Sequence, residues 1–139
     1  MKLIDANVFV YALGEQHEYR EACQRLIADV RAGRLAATID VELLQELLHI
    51  YHRIGRTRFA HDIVLDICGM FPEPLMVTRG TMLAAVSVLA VHPNLESRDA
   101  VHAAVVLENG LEGIISADRG FDRIESITRF DPLEMGKSC

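Results

Sequence analysis

The chain has 139 residues, of which 50% are hydrophobic, and its 14 basic and 20 acidic side chains give a formal net charge of −6. This length is typical of one domain, which we expect to span residues 1–139, and the composition excludes a disordered or collagen-like chain. The acidic balance argues against nucleic-acid binding by charge alone, unless the acidic residues hold metal ions that reverse the local field.

The sequence carries no signal for membrane insertion or secretion. No apolar run approaches the roughly 20 residues that span a bilayer. The apolar segment Met1–Leu13 contains Asp5 and lacks a small-residue cleavage site, which argues against a signal peptide. We therefore expect a cytoplasmic protein. The cysteines Cys23, Cys68 and Cys139 are widely spaced and form neither a zinc-binding nor a disulfide pattern.

The predicted elements alternate between short apolar strands and longer helices. In chain order they are strand Lys2–Ile4, helix Glu18–Arg31, strand Leu35–Ile39, helix Val41–Arg53 capped by Asp40, helix Arg58–Gly69, strand Leu75–Thr78, helices Gly80–Val91 and Leu95–Asn109, strand Gly113–Ser116 and a short strand within 124–130. This alternation is typical of βαβ units. We predict an α/β fold with three layers, α/β/α, and a short parallel sheet, in which ligands bind beyond the carboxyl ends of the strands.

Two carboxylates closely follow predicted strands. Asp5 comes directly after Ile4, and Asp118 comes two residues after the strand that ends at Ser116. Both side chains should therefore project from the carboxyl edge of the sheet. Taken singly, each is better explained as a helix N-cap, because Asp is favoured at that position and helical segments follow both residues.

Two further acidic residues lie on predicted helices. Asp99 belongs to an almost wholly apolar helix, where an unpaired carboxylate costs several kcal/mol unless the helix dipole stabilises it. Glu46 borders the apolar face of the helix Val41–Arg53, whereas Glu42 lies one turn earlier and further into the polar face. Four carboxylates facing one crevice would repel one another unless they shared protons or held a cation, and oxygen ligands favour Mg²⁺ or Mn²⁺.

Four segments together form a pattern that covers essentially the whole chain. They are Leu3-Ile-Asp5-Ala-Asn7-Val, Glu46 in its long helix, Arg98-Asp99-Ala-Val-His102-Ala-Ala and Ile115-Ser116-Ala-Asp118-Arg-Gly-Phe121-Asp122. In this order the segments resemble the PIN-domain nucleases, and most closely the small VapC-type toxins of toxin–antitoxin pairs.

The resemblance implies a metal-dependent endoribonuclease with a parallel sheet flanked by helices and with Mg²⁺ or Mn²⁺ as its cofactor. Its catalytic and metal-binding acids would be Asp5, Glu46, Asp99 and Asp118. Asp122 would be a further metal-binding acid, and Asn7 and Ser116 would be supporting residues. Glu42 stays open as the alternative to Glu46, because the two lie one helical turn apart.

An RNA substrate requires basic residues near these acids. The candidates for RNA contacts are Arg53, Arg56 and Arg58 in the one clearly basic segment, and Arg98 and Arg119 beside the proposed ligands. A solvated turn explains the basic segment equally well. No aromatic stacking platform is visible in the sequence. His102 is better explained as a satisfied buried histidine than as a base.

The resemblance also implies a bound inhibitor, the antitoxin. The segment Val41–Gly69 carries apolar side chains, some of which we expect to form an exposed groove for it. They are Leu44, Leu48, Tyr51, Phe59, Ile63, Leu65 and Ile67. We also expect a homodimer.

Three other interpretations remain open. The motifs Glu46-Leu-Leu-His49 and Asp99-Ala-Val-His102 have the spacing of di-iron helical bundles, which require an all-helical chain. A phosphoacceptor receiver also clusters acids at strand ends, but it needs a late lysine, and neither Lys2 nor Lys137 is suitably placed. A catalytically inactive PIN-like binding module would have lost a metal ligand, whereas all four acids are present.

Overall fold

A computed structural model describes residues 1–135, so Lys137 and Cys139 lie outside the described part. The strands are β1 (Lys2–Ile4), β2 (Ala37–Thr38), β3 (Ile114–Ile115) and β4 (Arg129–Phe130). The helices are α1 (Ala6–Leu13), α2 (Arg20–Arg31), α3 (Val41–Arg53), α4 (Thr57–Met70), α5 (Arg79–Val91), α6 (Ser97–Glu108) and α7 (Pro132–Met135), and a 3-10 helix spans Arg119–Arg123. None of the described helices is long and apolar enough to cross a membrane.

The four strands form one sheet in the order β2-β1-β3-β4, and every neighbouring pair is parallel. The register places Leu3 beside Ile114 and Ile4 beside Ile115. Asp5 therefore leaves the sheet next to the residues that follow β3. A parallel sheet also excludes the all-helical chain that the di-iron interpretation requires.

Helices cover both faces of the sheet because successive strand residues point to opposite sides. Ile4 and Ile115 pack against α1, α2, α3 and α4 on one face. Leu3 and Ile114 pack against α6 and the 3-10 helix on the other face, where α5 packs against α6. The predicted three-layer α/β/α architecture is confirmed.

The predicted strand Leu75–Thr78 is wrong beyond its first residue. Leu75 forms an isolated parallel bridge with Asp40 and then the chain turns into α5. Thr78 is the N-cap of α5: its hydroxyl accepts a hydrogen bond from the Thr81 N–H, and its own N–H donates to the Thr81 hydroxyl. This cap offers the backbone of Thr78 local hydrogen bonds that compete with a strand.

Candidate active site

Asp5 is held firmly at the carboxyl end of β1. Its backbone N–H donates to the Ile115 carbonyl over 3.0 Å. Its Oδ1 accepts from the Ala6 N–H at 2.7 Å, which is the predicted N-cap, and its Oδ2 accepts from the Ser116 hydroxyl at 2.6 Å. The side chain is buried, and burial raises the pKa of this carboxyl above its ordinary value. Capping and a place in the site are therefore compatible.

Asn7 and Ser116 connect Asp5 to the loop after β3. The Asn7 amide donates to the Ser116 hydroxyl at 3.0 Å and to Asp5 Oδ2 at 3.2 Å. The backbone N–H of Asp118 donates to the same Ser116 hydroxyl at 2.9 Å, and that of Ala117 donates to the Asn7 side chain at 3.3 Å. These bonds fix the separation between the first and last acids.

Asp99 lies in the first turn of α6 and is buried, as its apolar helix predicts. Burial, followed by the charges of Asp5 and Asp118, raises its pKa to about 8. Asp118 is exposed, and its Oδ1 accepts from the Gly120 N–H at 2.8 Å. The metal-free site thus keeps Asp99 largely protonated at neutral pH.

Glu46 enters the site from the middle of α3. Its Oε1 accepts from Arg98 Nε at 2.7 Å. Its Oε2 is buried and has no hydrogen-bond partner among residues 1–135. Glu42 is half-buried and does not line the cleft that Glu46 lines, so the geometry favours Glu46 over the alternative.

His102 and Asp40 form a buried pair behind the acids that the sequence did not reveal as part of the site. His102 Nδ1 lies 2.6 Å from Asp40 Oδ2. His102 Nε2 lies 3.6 Å from Asp5 Oδ1 and 3.5 Å from Glu46 Oε2. Burial disfavours a charged imidazole, but Asp40, Glu46 and Asp5 outweigh it and hold the pKa of His102 well above its ordinary value. The prediction of a satisfied buried histidine is confirmed for Nδ1, whereas Nε2 faces the acids without a hydrogen-bond partner in the described chain.

The four predicted acids meet at one cleft of about 300 Å³. It is lined by Asp5, Ala6, Asn7, Val10, Tyr11, Glu46, Ile50, Glu96, Arg98, Asp99 and Asp118. Ligand atoms of Asp5, Glu46 and His102 lie within 4.8 Å of one another. A buried carboxylate oxygen that accepts no hydrogen bond and lies beside further acids suits a hard divalent cation, since such ions take oxygen ligands. The residues present therefore fit Mg²⁺ or Mn²⁺.

Comparison with known proteins identifies the family. The family model of the PIN domain matches residues 2–127, a range that includes all four acids. The chain belongs to the PIN domain family. A curated relative, VapC ribonuclease Mb1869c of Mycobacterium bovis, is 33% identical over 129 residues, which cover 93% of this chain and 98% of the relative. This membership overturns the receiver interpretation.

Solved structures share the fold of this PIN domain. VapC20 of Mycobacterium tuberculosis, described as a sarcin–ricin loop cleaving toxin, aligns with a TM-score of 0.73 and 16% identity over 90% of this chain and 95% of that chain. A toxin–antitoxin complex from Klebsiella pneumoniae aligns with a TM-score of 0.67 and 13% identity over 95% and 98%. Because these sequence identities are low, the structural similarity shows a shared fold only.

The remaining predicted residues of the PIN domain lie outside the cleft or at its edge. Asp122 does not line it, because Arg129 binds its two carboxylate oxygens at 3.0 and 3.2 Å. Of the predicted RNA-binding arginines, Arg98 lines the cleft and the other four do not. Arg119 is exposed on the 3-10 helix that follows Asp118.

The basic segment forms the turn between α3 and α4. Arg53, Arg56 and Arg58 are all exposed. The guanidinium of Arg56 lies over the Phe59 ring, 3.9 Å from its centroid. Arg56 is therefore partly engaged in packing, whereas no ion pair is found for Arg53 or Arg58 within residues 1–135.

Only some of the apolar side chains predicted to form a groove on α3 and α4 are available to a partner. Tyr51, Ile63 and Ile67 are buried in the core of the PIN domain and cannot contact a partner. Leu48 and Leu65 are 44% and 59% exposed. Of the predicted groove residues, Leu48 and Leu65 are therefore the exposed ones, and Leu44 and Phe59 are half-buried.

No pattern in the sequence predicted the aromatic cluster that lies beside the acids of the PIN domain. Tyr11, at the end of α1, lines the acidic cleft and stacks on His17 and Tyr19, which precede α2. Because the cluster combines residues from two segments of the chain, no local sequence pattern predicts it.

Proposed function

We propose that this PIN domain is a metal-dependent endoribonuclease that acts as the toxin of a toxin–antitoxin pair. The observation that carries the proposal is the convergence of Asp5, Glu46, Asp99 and Asp118 on one cleft, where one buried Glu46 oxygen accepts no hydrogen bond from the described chain. The relative named VapC ribonuclease, 33% identical along almost its whole length, supports RNA as the substrate.

The four acids would hold Mg²⁺ or Mn²⁺. When bound, such an ion supplies an acidified water for attack on the scissile phosphate and stabilises the charge on the phosphate oxygens. Asp5 is already oriented for this role by Ala6 and Ser116. Asp99 has to lose its proton before it can bind a cation, because its pKa is about 8 in the metal-free site.

The neutral and basic residues around the acids would position the acids and the RNA. Asn7 and Ser116 hold Asp5 and the backbone of Asp118 in place. His102 is fully buried and its Nδ1 is bound to Asp40, so we assign it no role as a general base. Arg98 and Arg119 flank the acids and are suited to contact RNA phosphates.

The toxin role requires an antitoxin. A protein of this fold from Klebsiella pneumoniae occurs in a toxin–antitoxin complex, which supports such a partner. The acidic cleft would attract a basic antitoxin side chain, which would compete with the metal for Asp5, Asp99 and Asp118. The proposal includes action in the cytoplasm and a homodimer, for which the exposed apolar side chains Met82, Leu83 and Val86 of α5 provide a surface.

The test is cleavage of single-stranded RNA by the purified chain with EDTA, with EDTA followed by excess Mg²⁺ or Mn²⁺, and with excess Ca²⁺ as a control ion. We expect cleavage to disappear with EDTA and to return with Mg²⁺ or Mn²⁺. Cleavage that persists in EDTA would refute the metal dependence. No cleavage under any condition, with a native circular dichroism spectrum, would favour the catalytically inactive binding module instead.

A further inference from the structure

The aromatic cluster beside the acids has a geometry that the proposed catalytic machinery does not use. Tyr11 lies six residues after Asp5 along the helix that Asp5 caps, about 9 Å along its axis. Its ring lines the same cleft as Asp5 and Asp99. A few nucleotides of a single strand can bridge this distance, since successive phosphates of a stacked strand are about 3.4 Å apart along the axis.

The three rings of the cluster are nearly parallel. The ring planes of Tyr11 and His17 differ by 21° with centroids 4.5 Å apart, and those of Tyr11 and Tyr19 differ by 22° at 5.3 Å. The centroids of His17 and Tyr19 are 5.9 Å apart. The planes of stacked rings are about 3.5 Å apart, so His17 and Tyr19 on opposite faces of Tyr11 would be at least about 7 Å apart. Their observed separation of 5.9 Å is shorter than that. His17 and Tyr19 therefore lie side by side against one face of Tyr11, and neither covers the other face.

Hydrogen bonds fix the two supporting rings. The Tyr19 N–H donates to His17 Nδ1 at 3.2 Å, which sets the orientation of the imidazole. The Tyr19 hydroxyl donates to Asp131 Oδ2 at 3.0 Å. Tyr19 is buried and His17 is exposed, while the Tyr11 hydroxyl has no hydrogen-bond partner among residues 1–135. A platform that is already ordered loses little conformational entropy when a flat ligand stacks on it.

We propose that Tyr11, supported by His17 and Tyr19, stacks an unpaired RNA base next to the phosphate that the acids cleave. This inference rests on the ribonuclease function proposed above and adds the residue that would hold a base of the substrate beside the cleaved phosphate. Every base has a π-face, so stacking tolerates different bases, whereas a base paired within a helix is not free to stack on the protein.

The test uses the full chain with Asp99→Asn, which blocks cleavage, and a short single-stranded RNA that carries one 2-aminopurine. Stacking on an aromatic ring quenches the fluorescence of this base. We expect quenching with the Asp99→Asn parent and its loss when Tyr11→Ala is added. The same addition should weaken binding about tenfold, whereas Tyr11→Phe should keep the quenching and most of the affinity.

Matched controls separate stacking from a general loss of structure. His17→Ala changes an exposed residue and should weaken binding by two- to threefold, whereas His61→Ala, another exposed histidine, should have no effect. In the cleaving protein, Tyr11→Ala should raise KM for single-stranded RNA more than it lowers kcat. Circular dichroism establishes that each variant is folded.

The outcomes distinguish this inference from the function on which it rests. If the parent binds RNA and the unsubstituted chain cleaves it, but folded Tyr11→Ala binds and quenches as the parent does, the stacking site is wrong and the ribonuclease function stands. If the unsubstituted chain neither binds nor cleaves RNA, both are wrong. Equal binding of a blunt duplex and a single strand would overturn the stacking of an unpaired base on Tyr11.

Discussion

His102 and Asp40 form a hydrogen bond of 2.6 Å in which neither side chain is exposed to solvent. The bond joins residues 62 positions apart and links α6, which carries Asp99, to the start of α3, which carries Glu46. Asp40 also caps α3, because its Oδ1 accepts from the Leu43 N–H at 2.9 Å. This buried pair therefore helps to hold together the helices that carry two of the acids, which the ion pair between Arg98 and Glu46 also joins.

Breaking this pair should destabilise the fold strongly. His102→Ala leaves the Asp40 carboxylate buried without its partner, and we expect the free energy of unfolding in urea to fall by about 3 kcal/mol or more. Asp40→Ala should lower the free energy of unfolding less in the His102→Ala variant than in the unsubstituted chain, since both changes remove the same interaction. Strictly additive losses, or a loss below about 1 kcal/mol for His102→Ala, would show that the pair is not coupled as the geometry indicates.

Asp99 should make the metal-free protein less stable as the pH rises. Its folded pKa of about 8 lies above the ordinary value of 3.8, so between these values the folded state binds more protons than the unfolded state. Asp99→Asn removes this effect. In EDTA, the variant should have a higher free energy of unfolding than the wild type. This difference in free energy should grow from pH 5 to pH 8 by roughly 1 kcal/mol per pH unit.

Asp62→Asn is the control for this measurement, because Asp62 is exposed on α4 and lies outside the cleft. It should follow the wild type across the pH range. A stability difference between Asp99→Asn and the wild type that does not change with pH would refute the assignment of the raised pKa to Asp99.

The turn between α3 and α4 should contribute to RNA binding through charge. Replacing Arg53, Arg56 and Arg58 by Ala should weaken binding and reduce the slope of log affinity against log salt by about 2, since each phosphate contact contributes about 0.7 for a single strand. Arg56 should contribute least, because it lies over Phe59. The same slope in the triple variant would show that the RNA passes elsewhere.

A control with equal charge loss is available on α2 and the turn after it. Arg25, Arg31 and Arg34 are exposed and absent from the cleft, and Arg31 and Arg34 form ion pairs with Asp66 and Asp29. Their joint replacement by Ala should leave the salt slope within about 0.5 of the wild type.

The antitoxin should be the product of a neighbouring gene. We expect the chain to be toxic when expressed alone and to co-purify with that product when both are expressed. Leu48→Glu with Leu65→Glu should weaken the complex and spare RNA cleavage, whereas Val91→Glu, on the exposed end of α5, should spare both. A chain that is non-toxic alone and co-purifies with no small partner is not a toxin of this kind, although it could still be a nuclease.

Local rules were sufficient to predict three of the four acids and most of the elements. Asp5 and Asp118 follow short apolar strands, and the parallel sheet brings such positions to one edge. Asp99 lies on a helix whose sides are apolar nearly all round, so it had to be buried. The alternation of strands and helices fixed the layers, because each element has to bury its apolar face.

Contacts between distant segments limited the rest of the prediction. The link from His102 to Asp40 and the Tyr11 cluster join residues from separate elements, and no spacing in the sequence records them. The role of Asp122 as a metal-binding acid stays a prediction, and the sequence did not show that its carboxylate accepts hydrogen bonds from Arg129 outside the cleft. Periodicity placed Glu46 at the border of the apolar face and Glu42 further into the polar face, but it could not show which of the two reaches the cleft, because that depends on how α3 packs against α6.

The central claim is that four carboxylates hold a divalent ion for RNA cleavage. The most direct measurement compares cleavage of a single-stranded RNA at saturating Mn²⁺ by the wild type, Asp5→Asn, Asp99→Asn and the control Asp62→Asn. We predict that Asp5→Asn and Asp99→Asn abolish cleavage while retaining a native circular dichroism spectrum, and that Asp62→Asn cleaves as the wild type does. Cleavage at the wild-type rate by folded Asp5→Asn or Asp99→Asn would contradict the assignment of the site.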